Sequence, residues 1–80
     1  MQMKIDKFKK LIDVGADIEF RYANVDYTIL TIDNSIIVGV QGDDSKDIEF
    51  NSSDKVIKDY RIGESNIEDA INEIEILFHS

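Results

Sequence analysis

The chain has no cysteine, no tryptophan and a single histidine, and bases are scarce beside its acids. Without cysteine there is no disulfide, no thiolate zinc site and no cysteine nucleophile. A reducing compartment, the cytoplasm, is the expectation that follows. No apolar run approaches the ~20 residues of a membrane-spanning helix. Residues 1–10 contain no apolar stretch of the kind a secretory signal needs, so neither membrane insertion nor secretion is expected. The lone histidine, His79, stands next to the last residue, where chains fray. A general base needs a positioned partner, and nothing in the sequence supplies one. No Ser-His-Asp set, glycine-rich phosphate loop or P-loop occurs. No catalytic residue is assigned, and neither enzymatic activity nor a cofactor is expected.

What the chain does have is acid. Seventeen Asp and Glu face nine Lys and Arg in eighty residues, a net charge of −8. The charge is uneven. Residues 1–10 hold four lysines against Asp6, net +3, and the remaining five bases meet sixteen acids, net −11. Such a surface repels nucleic acid and anionic membranes and favours a basic partner. Direct nucleic-acid binding is not expected. The only basic cluster is Lys4, Lys7, Lys9 and Lys10, and the one aromatic among them, Phe8, belongs to an apolar stripe. Eighty residues make one domain, residues 1–80, burying only about 60 to 65% of its unfolded surface. A hydrophobic content of 42% argues against disorder despite the charge.

The pattern of apolar residues changes period along the chain. Residues 3–14 read as a helix, with Ile5, Phe8, Leu11 and Ile12 on one face and Gly15 placed to end it. From Asp17 the period is two: Ile18, Phe20 and Tyr22 alternate with polar residues, then Val25, Tyr27 and Ile29 after a turn at Ala23-Asn24. Leu30 and Ile32 fall on the opposite parity, which requires a bulge or a strand end covered on both faces. Asp33-Asn34 is a second turn. Ile36 to Val40 is almost continuously apolar and reads as a central strand buried on both sides. Gly42 to Lys46 reads as a loop, followed by a short strand with Ile48 and Phe50. Ser52-Ser53-Asp54 resembles an N-cap for a short helix through Tyr60 that Gly63 ends. Ser65-Asn66-Ile67-Glu68 resembles a capping box. It opens a closing helix, Asn66 to Phe78, with Ile67, Ala70, Ile71, Ile74, Leu77 and Phe78 as its stripe. The expected fold is α+β: a four-stranded antiparallel meander packed with an N-terminal helix and two C-terminal helices.

Two acidic sets are the candidate partner-binding residues. Asp43, Asp44, Asp47 and Glu49 lie near the loop, and Glu68, Asp69, Glu73 and Glu75 lie on the closing helix. Asp43, Asp47 and Asp54 echo a calcium loop in spacing. Ile48 stands where that loop needs its turn glycine and an aspartate where it needs a bidentate glutamate, so no metal site is assigned. Glu68 and Asp69 suit a helix N-terminus, whereas Glu73 and Glu75 do not, and Asp69 with Glu73 is a like-charge pair. Either the lysines of the first helix lie across from these acids and the face is only solvated, or the acids form a binding face for a basic partner.

The order of elements, with Ile18-Glu19-Phe20-Arg21-Tyr22, Tyr27-Thr28-Ile29, Glu49-Phe50 and Tyr60-Arg61-Ile62-Gly63-Glu64-Ser65 leading to an acidic closing segment, resembles a group of small proteins from phages and prophages of Gram-positive bacteria. Ala23-Asn24-Val25 departs from the group's glycine-bearing first turn. The resemblance implies a phage accessory protein, and small acidic ones include anti-CRISPR and other anti-defence inhibitors that imitate DNA. A type II effector nuclease such as Cas9 has Lys- and Arg-lined channels that carboxylates can occupy. The expected function is therefore a non-enzymatic inhibitor, a monomer or homodimer, binding a basic nucleic-acid-binding protein in the host cytoplasm. The alternatives are a prophage adaptor that homo-oligomerises and an antitoxin-like partner of a basic toxin.

Overall fold

A computed structural model describes residues 3–80. The first helix, α1 (Ile5–Asp13), buries Phe8 and Ile12 and turns its lysines outward. It ends as its sequence dictates. Gly15, at φ +80°, donates its N–H to Ile12 O, and Ala16 donates to Leu11 O, both at 3.0 Å. This pair of bonds is the Schellman closure, which needs a residue at positive φ and so favours glycine.

Four strands follow as an antiparallel meander: β1 (Ile18–Tyr22), β2 (Val25–Ile32), β3 (Ser35–Val40) and β4 (Asp43–Phe50). Tyr22 pairs with Val25 and Ile32 with Ser35, so both of the first two hairpins close over two residues. Ala23 and Asn24 lie at φ 50° and 65°, Asp33 and Asn34 at 50° and 69°. Two successive left-handed residues are what a type I′ hairpin requires. The third hairpin corrects the expected loop at Gly42–Lys46. The chain turns at Gln41-Gly42, and β4 begins at Asp43, paired with Val40. The extra residues are taken up inside the ladder, because the register jumps between Val38↔Ile48 and Val40↔Asp43. Gly39 makes that bulge possible. It lies under the Asp47 side chain, and a Cβ there would overlap the Asp47 carboxylate.

The second helix, α2 (Ser53–Asp59), is capped by Ser52, whose hydroxyl accepts from the Lys55 N–H at 3.3 Å. It ends at Tyr60, where the backbone becomes extended. Gly63, expected to end this helix, instead sits at φ +69° in the turn of a small hairpin between β5 (Arg61–Ile62) and β6 (Ser65–Asn66). The third helix, α3 (Ile67–Ala70), runs into a 3-10 turn at Ile71–Glu73, and the chain then extends as β7 (Glu75–His79).

That last strand corrects the expected helix from Asn66 to Phe78. β7 pairs antiparallel with β1, giving a sheet of order β4-β3-β2-β1-β7. The physical reason is β1's outer edge, whose amides and carbonyls would otherwise face water unpaired. Glu75 to His79 satisfies them, entered through the period-two run Glu73-Ile74-Glu75-Ile76. The helical stripe therefore ends early. Ile67, Ala70, Ile71 and Ile74 are buried and so is Ile76, whereas Leu77 and Phe78 are exposed. The architecture is otherwise the α+β meander with one leading and two following helices.

The helices supply their buried side chains to the same core as Ile18, Phe20, Ile29 and Val38. An aromatic chain runs through it, from Phe8 to Phe20 (5.8 Å, edge-on), Tyr27 (5.0 Å, stacked), Tyr60 (6.1 Å) and Phe50 (6.2 Å). β3 is not covered on both sides. Ile36 and Val38 are buried, while Ile37 faces the other way and is half-buried. The parity slip in β2 also resolves without a bulge. Its pairing with β3 is continuous, so Leu30 and Ile32 simply point away from the core. Among the described residues no helix is long and apolar enough to cross a membrane.

Candidate functional site

The first acidic set lies on β4, one outermost strand of the sheet, whereas of the second set only Glu75 lies on a strand, β7, the other outermost one. Four strand spacings separate those strands, about 19 Å at ~4.8 Å each. Glu75 is thus on a different edge of the sheet from the β4 acids.

On the β4 edge the members differ. Asp43 is engaged locally: its carboxylate accepts from the Ser45 N–H (3.2 Å) and hydroxyl (2.5 Å), with Lys46 at 3.9 Å. The Ser45 hydroxyl bond is the main reason its carboxyl lies below the usual carboxylate range. Asp44, Asp47 and Glu49 are exposed and form no ion pair among the described residues. Glu49 pairs across the ladder with Ile37, which places it on the sheet face opposite the core. The calcium-like spacing does not become a loop. Asp43 begins a strand, while Asp54 lies on α2 at 3.8 Å from Lys9. Among the described residues no group of three or more His, Asp or Glu could hold a metal ion.

In the second set, Glu68 and Asp69 occupy the first turn of α3, Glu73 the 3-10 turn and Glu75 the start of β7. The cap is shifted one residue from the expected box. Asn66 Oδ1 accepts from the Asp69 N–H at 2.8 Å, while the Ser65 hydroxyl donates to Asn66 O at 3.1 Å. Glu75 lies across from Arg21 and adds to the field that raises the guanidinium pKa. The main cause there is Asp26, which accepts from Arg21 Nε at 2.6 Å and Nη2 at 3.2 Å. The same pairing lowers the Asp26 pKa.

The ion-paired lysine of α1 is engaged elsewhere. Lys9 pairs with Asp13 on its own helix (3.2 Å) and approaches Asp54 on α2. Asp13 also accepts a short hydrogen bond from the buried Ser53 hydroxyl, the chief cause of its lowered pKa, so the α1–α2 contact is sealed by Lys9, Asp13 and Ser53. No ion pair joins α1 to Glu68, Asp69, Glu73 or Glu75 among the described residues. His79 pairs with Ile18 at the end of β7 and is exposed.

Sequence reasoning missed the apolar content of the uncovered sheet face, where Leu30, Ile32, Ile37 and Phe78 meet Glu19 and Glu49. The signal was present in the parity slip at Leu30 and Ile32. Neither a protein-family model, nor a curated protein, nor a solved structure matches this chain.

Proposed function

We propose that the protein is a non-enzymatic binding protein whose carboxylates occupy a basic, nucleic-acid-binding surface of another protein and exclude nucleic acid from it. The observation that carries this reading is how little of the charge is spent internally. Of seventeen carboxylates, Asp13, Asp26, Asp43 and Asp54 alone form ion pairs among the described residues. The remainder leaves the surface beyond residue 10 predominantly negative, which speeds encounter with a basic partner and is weakened by salt. The specific form implied by the phage-protein resemblance is an inhibitor of a type II CRISPR nuclease, acting in the host cytoplasm.

The test is direct competition. Guide-loaded Cas9 is mixed with the protein, and target-duplex binding is followed at rising salt. Inhibition that weakens as salt rises is expected, as is its loss when either Asp44, Asp47 and Glu49 or Glu68, Asp69, Glu73 and Glu75 are changed to Asn and Gln. Undiminished duplex binding removes the nuclease-inhibitor form. The broader reading falls if no basic protein retained from bacterial lysate by the immobilised chain is displaced by duplex DNA.

A further inference from the structure

An antiparallel sheet covered on one side ordinarily carries polar residues on the other. β2 and β3 depart from this. Their continuous register places Leu30 opposite Ile37 and Ile32 opposite Ser35, all on the face away from the core. β7 adds Phe78, paired with Glu19 on that face. Leu30, Ile32 and Phe78 are 39, 53 and 51% exposed, and none belongs to the core or packs against it. Three large exposed apolar side chains on one open face, with the half-buried Ile37 as a fourth, mark an interaction surface.

The charges on the same face say what kind of partner covers it. Glu49 stands beside Ile37, Glu19 beside Phe78 and Glu75 beside Arg21, while the Asp47 carboxylate lies over Gly39. Arg21 is already held by both oxygens of Asp26. The apolar centre is therefore bordered by acids without ion-pair partners among the described residues. A second copy docking by this same face would bring two sets of Glu19, Asp47, Glu49 and Glu75 into one interface, because a two-fold interface uses the same patch on both copies.

We propose that this open face is the docking surface, and that its occupant is the apolar stripe of a lysine- and arginine-rich amphipathic helix of another protein. The inference rests on the reading of the chain as a binder of basic proteins, and adds which face binds and that the contact is apolar as well as ionic. A helix completes the second layer that an open sheet face lacks. Its diameter of about 10 to 12 Å spans two to three strands, the width over which Leu30 and Ile37 lie side by side.

The test uses three synthetic helical peptides against the isotope-labelled full chain, followed by amide shifts and calorimetry. One alternates Lys with a Leu stripe, one keeps the lysines and replaces Leu by Gln, and one keeps Leu and replaces Lys by Glu. The Lys/Leu peptide is expected to bind about tenfold or more tightly than the Lys/Gln peptide, as burial of two or more apolar side chains implies. It should move the amides of Leu30, Ile32, Ile37 and Phe78. Leu30→Ser with Ile37→Ser, checked for an intact fold by circular dichroism, should abolish that advantage and leave Lys/Gln binding unchanged. Equal binding of the two lysine peptides, or shifts confined to β4 or α3, overturns the docking face but leaves the basic-partner reading standing. Binding of the Glu/Leu peptide as tight as that of Lys/Leu overturns both. Concentration-dependent shifts at Leu30 and Ile37 without any peptide would assign the face to a second copy and overturn the proposed occupant.

Discussion

At the scale of single residues, the first hairpin keeps a conformation that its side chains do not favour. Ala23 sits at φ 50° with no polar side chain to compensate, and Asn24 follows at 65°. A left-handed Ala is strained by roughly 1 to 2 kcal/mol relative to the right-handed region. The turn forms because Tyr22 and Val25 are held in register by the strands on either side. Changing Ala23→Asn together with Asn24→Gly installs the pair that type I′ turns prefer. The double variant is expected to gain about 1 kcal/mol, seen as a melting temperature higher by about 4 to 8 °C in a domain of this size. An unchanged or lower melting temperature would show that the turn is not strained. Gly39 is a residue of the opposite kind. Its missing Cβ is the space that the Asp47 side chain occupies, so the bulge in β4 depends on it.

At the scale of elements, the decisive contrast lies in the last segment. As a helix, residues 66–78 would bury Leu77 and leave Ile76 aside. As a strand against β1, the chain buries Ile76 opposite Phe20 and leaves Leu77 38% exposed. Ile76→Ala should therefore cost about 2 to 5 kcal/mol through the cavity it leaves, and Leu77→Ala well under that. Chemical denaturation of the two variants measures both. Equal losses would contradict the strand. This segment also shows what the sequence makes legible and what it does not. The meander was readable because Ile18, Phe20, Tyr27 and Ile29 alternate cleanly and Asp33-Asn34 marks its turn. Ile67, Ala70, Ile71 and Ile74 fit a helical period, and that pattern masks the shorter alternation of Glu73-Ile74-Glu75-Ile76. The choice between them is made by the free edge of β1, a partner distant in sequence, which no local period reports. The candidate site was legible only as charge. Asp44 and Glu73 are visible as acids in any reading. That β4 and β7, which carry Asp44 and Glu75, lie at opposite ends of the sheet, with Leu30 and Ile37 between them on an open face, depends on strand order.

At the scale of the whole molecule, the carboxylates divide by what they do. Asp13, Asp26 and Asp43 are held below the ordinary aspartate value of 3.8, chiefly by the Ser53 hydroxyl, the Arg21 guanidinium and the Ser45 hydroxyl respectively. A carboxyl with a lowered folded-state pKa releases its proton more readily when folded. Its contribution to stability is therefore fully present above the unfolded value and is lost as pH falls through the lower folded one. For these three the loss begins near pH 3.8 and deepens below it. The exposed acids without ion-pair partners act differently, because their mutual repulsion in a chain of net charge −8 opposes folding at neutral pH and is weakened by salt. The two populations can be separated by substitution. Asp13→Asn, Asp26→Asn and Asp43→Asn together should flatten the decline in melting temperature between about pH 4 and pH 2. Changing Asp44→Asn, Asp47→Asn and Glu49→Gln should leave that decline in place and raise the melting temperature slightly at pH 7 in low salt. Thermal melts of the three proteins across this range provide the measurement. Equal steepness in all three would mean that the ion-paired and hydroxyl-bonded aspartates contribute nothing distinctive to the fold. The charge that stabilises this molecule would then be indistinguishable from the charge it presents to a partner.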